Sequence, residues 1–410
     1  MLPVQSSVGN PPAPSGKTKA QIRNQPVDAL RGAVIILMAL DHVRDYISSA
    51  AMSFSPTDLS RTTAAIFLTR WITHFCAPVF AFTAGIGTYL WMRRNRTPAQ
   101  LSRFLLTRGL WLIVLELTVL RLILFLDFAY RLPLLLNVIW MLGLCMIVMA
   151  ALVHLPPRAL ALLSLAVIAG HNLLDRIPAS RFGPLAWAWN ILHQQGLFRV
   201  GGAAVIVAYP LVPWVAVMAA GFCLGPVLLW EPGRRRRFLA NLGLGLTAGF
   251  LVLRALNLYG DPSRWSAQAT GIFTALSFLN CTKYPPSLLF LMMTLGPALY
   301  LMARLERLPL PDTHPLVVFG RVPFFFFVVH FALVHAIAIA LEVARYGWTN
   351  FTLLPPPSMG SPRAAFPTDF GYDLWVVYAV WIAVIAILYP VCRWYAGLKR
   401  RRHDWWLSYL

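Results

Sequence analysis

Apolar residues in this chain gather in runs of about 20, separated by short polar or basic stretches. That is the length an α-helix needs to cross a hydrocarbon core of roughly 30 Å. Runs such as Leu110–Leu126 and Val376–Leu388 show no polar–apolar alternation, so they read as helices rather than barrel strands, the only other structure that lipid admits. The pattern predicts an all-α bundle of about ten spans. They lie near Ala29–Ile47, Trp71–Met92, Leu105–Leu126, Leu134–Leu155, Leu160–Leu174, Val205–Trp230, Phe238–Tyr259, Ser287–Arg304, Pro315–Ala344 and Leu374–Trp394. The span from Leu160 is short and suits a tilted or partly re-entrant helix. Longer connections at 175–204, 260–286 and 345–373 carry Trp, Pro, Gly and Asp, as a lid or acceptor site would.

Composition agrees. Hydrophobic residues make up 58% and charged residues only 12%, against about 25% charged in soluble domains. The net charge of +20 first suggests nucleic acid, but its distribution argues otherwise. Arg93, Arg94, Arg96 and Arg103 follow one span, Arg234 to Arg237 another, and Lys399 to Arg402 the last. Short basic links beside apolar runs orient a membrane protein with those links in the cytoplasm, which predicts that both termini are cytoplasmic. Residues 1–26 are rich in Pro, Gly and Ser without an apolar core, and read as a disordered cytoplasmic tail. Residues 27–398 form the transmembrane domain, and 399–410 a basic, aromatic cytoplasmic tail. The five cysteines, Cys76, Cys145, Cys223, Cys281 and Cys392, are isolated, so neither a disulfide framework nor a metal site is expected. A homo-oligomer stays open. The preponderance of Arg over Lys suggests a GC-rich bacterial gene and hence a bacterial inner membrane.

A charge near the bilayer centre costs at least about 2.5–3.5 kcal/mol, so the charges that remain in spans mark interior or wet positions. The first span holds Asp28, Arg31, Asp41, His42, Arg44 and Asp45. Arg31 and His42 are three helical turns plus roughly 20° apart, on one face, separated by about 16 Å of rise. An arginine fork at the cytoplasmic end can hold the phosphates of an acyl donor. A thioester arm running up the helix would then reach His42, as general base or as acyl carrier. Asp45, three residues on, is placed to orient the His42 ring. Asp41 points about 100° away and serves another contact. The blander reading, an interfacial Arg31 and a hydrogen-bonded bundle His42, remains open on spacing alone.

His74, one turn after Arg70, is a second catalytic candidate. Arg108 and Arg321 sit at cytoplasmic span ends and can add to phosphate binding, although ion pairs explain them too, as they explain Glu116, Arg121, Asp127 and Arg254. His330 and His335 lie about 140° apart on one helix and cannot share a ligand. Lys283, in Asn280-Cys281-Thr282-Lys283-Tyr284-Pro285-Pro286, stands out because lysine is scarce. Asp41, Asn280 and Lys283 are candidate acceptor contacts, with an interfacial Lys283 before a proline-started helix as the plain alternative.

Val27-Asp28-Ala29-Leu30-Arg31-Gly32, continuing to Leu40-Asp41-His42-Val43-Arg44-Asp45, resembles the opening of bacterial proteins related to the catalytic domain of heparan-α-glucosaminide N-acetyltransferase. Cys76-Ala77-Pro78-Val79-Phe80, Tyr209-Pro210-Leu211-Val212-Pro213-Trp214, Lys283-Tyr284-Pro285-Pro286-Ser287-Leu288-Leu289, Gly320-Arg321-Val322-Pro323 and His403-Asp404-Trp405-Trp406-Leu407 extend the likeness over nearly the whole chain. The spacing of Arg31 and His42 also resembles that in membrane O-acyltransferases of bacterial polysaccharides. The resemblance implies a multi-helix acyltransferase that takes an acetyl group from cytoplasmic acetyl-CoA and passes it to a sugar or glycan on the far side. In the lysosomal relatives the position of His42 resembles an asparagine, and the active histidine lies in the loop before the second span. The stretch here near Thr63 and Ala64 has no histidine. His42 therefore leads, His74 follows, and the amine acceptor is not carried over. A transporter or flippase of a small molecule or lipid-linked sugar is the alternative, though no repeated halves are visible. A structural subunit of an envelope complex is a third.

Overall fold

The computed structural model describes residues 25–94, 96–127, 132–348, 354–402, 404 and 407. The expected N-terminal tail falls almost entirely on residues 1–24, outside the described residues, as do His403, Trp405 and Trp406 of the C-terminal motif. The fold is mostly helical. Its principal helices are α1 Gln25–Ile47, α2 Ala64–Ile72, α3 Cys76–Met92, α4 Pro98–Leu115, α5 Val138–Leu152, α6 Pro157–Gly170, α7 Trp214–Leu224, α8 Pro232–Leu256, α9 Gly271–Leu279, α10 Leu288–Leu305, α11 Pro315–Arg321, α12 Pro323–Tyr346 and α13 Leu374–Arg401. Among the described residues six helical segments are long and apolar enough to cross a membrane: Ala64–Met92, Pro157–Leu174, Pro232–Leu256, Leu288–Leu305, Pro323–Tyr346 and Leu374–Arg401.

Successive long helices run in opposite directions. At one end the Gln25 amide bonds the Leu310 carbonyl, and Tyr389 donates to Thr313 O at 2.6 Å. At the other, Tyr372 N bonds Ile47 O at 2.7 Å, and Asn280 reaches Thr57 O at 3.1 Å. The basic links lie at the first end and the long loops at the second.

The helix richest in charge, α1, is enclosed by its neighbours. It packs against α3, α10, α11, α12 and α13, which keeps its ionisable groups away from lipid, where they would be costly. Two glycines permit the tightest crossing. A Cβ on Gly32 would lie 1.8 Å from Leu316 O, and one on Gly320 would lie 1.7 Å from Asp28 O. Close backbone approach through small residues is how membrane helices gain contact, and here it fixes α1 against α11.

The expected all-α architecture needs one correction. β1 Leu134–Leu136 pairs in parallel with β3 Ala203–Val207, and β2 Gly196–Val200 pairs antiparallel to β3, with Leu135 opposite Ile206 and Phe198 opposite Val205. Two spans expected to start at Leu134 and Val205 therefore begin as strands, and their helices start at Val138 and Trp214. For β2 and β3 the cause is the turn Gly201-Gly202, with φ of +54° and +85°. Two positive φ values suit a two-residue hairpin, and the flanking β-branched residues favour strand.

Candidate active site

The charged face of α1 opens on a cavity of about 310 Å³ lined by Arg31, Met38, Asp41 and His42. Facing them are Phe80, Thr83 and Trp91 from α3, Phe104 and Arg108 from α4, and Phe324 and Phe327 from α12. The walls are mostly apolar, with arginines at one end and the Asp41–His42 pair with Lys283 and Tyr209 at the other. Arg31 donates to Thr83 O at 2.8 Å and sits 3.4 Å from Asp28, so its fork is held at the cavity edge. Arg108 lies over the Phe104 ring at 5.9 Å.

His42 is held on two sides. Its ring stacks on Phe331 with centroids 4.0 Å apart, and its Nδ1 lies 2.6 Å from Nε2 of His330. His330 is fully buried, and its Nδ1 is 3.0 Å from Phe326 O. Asp45 does not orient the ring as expected. Its carboxylate bonds Arg44 at 2.6 Å, because the side chain turns toward the next cavity, and His330 takes the place at Nδ1. The pairing spans 288 positions of sequence, so no local spacing could reveal it.

A second cavity, about 770 Å³, opens among the long loops beside the end of α1. Arg44, Asp45, Arg70, His74, Asn280 and Lys283 line it. Asp41, in the first cavity, pairs with Arg70 and lies 2.9 Å from Arg44. This ion-pair cluster forms the wall between the two volumes, and Lys283 lines both. Lys283 stacks over Tyr284 at 5.1 Å, and among the described residues no carboxylate pairs with it. His74 is buried against Phe290, and its Nδ1 has no hydrogen-bond partner among the described residues.

The loop that delivers Asn280 and Lys283 is fastened by buried groups. Arg254 is 1% exposed and donates to the carbonyls of Ser263, Ser277, Phe278 and Asn280. Asp261 accepts from Thr282 N and Ser287 Oγ at 2.8 and 2.6 Å. Satisfying so many carbonyls in a buried turn removes the penalty for orphan acceptors, and holds the loop against the cavity. Arg321 lies apart, bonded to Asp312 at 2.5 Å and absent from both cavity walls. Among the described residues no group of His, Cys, Asp and Glu has metal-site geometry.

One end of the first cavity thus offers guanidinium groups and aromatic rings, and the other a histidine and the Lys283 ammonium. That arrangement can bind a phosphorylated, largely apolar chain and present its tip to a base. The family model for the catalytic domain of heparan-alpha-glucosaminide N-acetyltransferase matches residues 23–259, more than half of the chain. No curated protein matches it. The chain belongs to that family, and membership implies a membrane acetyltransferase that draws on acetyl-CoA.

Proposed function

From that membership, we propose that this membrane acetyltransferase moves an acetyl group from cytoplasmic acetyl-CoA along α1 to a sugar or glycan acceptor in the second cavity, across a bacterial inner membrane. The observation that carries the proposal is Lys283, which lines the first cavity with His42 and Asp41 and also lines the second. Arg31 and Arg108 take the donor phosphates, since planar forks match phosphate oxygens. Phe80, Trp91 and Phe104 line the path of the pantetheine arm, and the thioester comes to rest by His42.

The acceptor enters through the polar cavity, with Arg44, Asn280 and His74 among its contacts. His42 removes the proton from the acceptor hydroxyl or amine. The freed pair attacks the thioester carbonyl, and negative charge develops on its oxygen. Lys283 faces that charge, where a preformed cation is worth most. Collapse breaks the carbon–sulfur bond, the acetyl group stays on the acceptor, and the thiolate leaves with the proton returned by His42.

The test is turnover by purified protein in vesicles with labelled acetyl-CoA and a panel of sugars and glycans. Transfer is expected from the wild type and is lost in His42→Ala while CoA binding persists. Equal turnover by both proteins overturns the role of His42. Binding without transfer to any acceptor favours a transporter.

A further inference from the structure

The His42–His330 contact fixes more than ring position. Phe326 O can only accept a hydrogen bond, so the His330 Nδ1 facing it at 3.0 Å carries a hydrogen. His330 is 0% exposed and no carboxylate bonds it among the described residues. An isolated buried charge is costly, so its ring is neutral and its Nε2 keeps a lone pair. The only hydrogen available to the 2.6 Å contact is then on Nδ1 of His42. We infer that His330 is a positioning residue that locks His42 in the Nδ1–H tautomer, leaving Nε2 of His42 as the basic atom.

The inference rests on His42 acting as the base. Aromatic neighbours hold both rings in register: His330 stacks on Phe326 with centroids 5.2 Å apart and 18° between planes, and His42 lies on Phe331. The contact also survives the proposed proton transfer. Once Nε2 of His42 has taken the acceptor proton, Nδ1–H still donates to the same lone pair, now as a charge-assisted bond of the stronger class. Hydrolases assign this task to a carboxylate behind the histidine. Here a second imidazole does it without adding a negative charge to the apolar part of the bundle.

The experiment is nitrogen NMR of full-length protein labelled with ¹⁵N-histidine in bilayer discs, with His42 assigned by its loss in His42→Ala. The expected wild-type spectrum shows His42 protonated at Nδ1 and bare at Nε2. His330→Phe, which fills the space but accepts no bond, is expected to release His42 toward the Nε2–H form. His330→Gln, which offers a carbonyl oxygen, retains Nδ1–H. Turnover should follow: kcat falls on the order of 10- to 100-fold in His330→Phe, KM for acetyl-CoA holds, and His330→Gln recovers part of the loss. An Nε2–H tautomer in the wild type overturns the inference even if a variant does not fold, as does one tautomer common to all three proteins. The spectrum needs no turnover, so an inactive wild type would count against the proposed reaction and leave the tautomer result standing.

Discussion

Asp41 and Arg70 meet across the wall between the two cavities, the carboxylate lining one and the guanidinium the other. The pair holds the end of α1 against α2 where the two cavities come closest. Removing one partner of a buried pair costs about 3–5 kcal/mol. Asp41 keeps Arg44 at 2.9 Å, so Arg70→Met is expected at about 3 kcal/mol, the lower edge of that range. Denaturant unfolding in mixed micelles measures it. The double change Asp41→Leu with Arg70→Met is expected to recover part of the loss, and strict additivity of the two single losses would show that the pair is not coupled.

Arg31 is the outermost α1 side chain on the first cavity. Arg31→Ala is expected to weaken CoA binding about 10- to 100-fold, the worth of a hydrogen bond to a charged group, with Arg31→Lys intermediate because a point charge lacks the fork. Titration calorimetry with CoA and with dephospho-CoA reads both. Unchanged affinity in Arg31→Ala would move the phosphates elsewhere.

Lys283 offers a separate test of charge stabilisation. Lys283→Met keeps an unbranched apolar stem and removes the ammonium. The expected loss is on the order of 100-fold in kcat, typical of one oxyanion donor, with KM for acetyl-CoA little changed. A rise in acceptor KM alone would make Lys283 a binding contact.

Outside the bundle, Glu231 caps α8, accepting from Gly233 N at 2.8 Å and Arg234 N at 2.9 Å. These two bonds hold its carboxyl below the ordinary glutamate value. A group whose folded pKa is lowered adds stability that is present above its unfolded pKa and lost as pH falls through the folded one. Glu231→Gln is therefore expected to speed amide exchange over the first turn of α8 at neutral pH. The difference from wild type should vanish in acid below the ordinary carboxylate range. A gap that persists there would mean the cap does not depend on ionisation.

The helical character was legible because long apolar runs admit few other structures, and Arg31 and His42 line one cavity because both lie on one face of a helix. The strand pair is also written locally, in Gly201-Gly202 with Val205-Ile206-Val207 after it, but the apolar length of the same stretch reads as a span. Asp41 pairs with Arg70 of another helix as well as with Arg44 of its own. The His330 contact, the double exposure of Lys283 and the capture of Arg321 by Asp312 depend on how distant helices pack. No spacing within one segment encodes such meetings, and an ionisable residue in a span announces only that it will need a partner.

The wall built from Asp41, Arg70, Arg44 and Lys283 also has an electrical consequence. Cavities open on either side of this wall, so less protein stands between the two ends there and a membrane field is steeper. A unit charge moved through the full field gains or loses about 2.3 kcal/mol per 100 mV. In the proposed reaction the acetyl group crosses uncharged, but the proton exchanged at His42 and the charge forming beside Lys283 arise inside that steeper field. If acetyl transfer runs past this wall as proposed, its rate follows the energised state of the membrane.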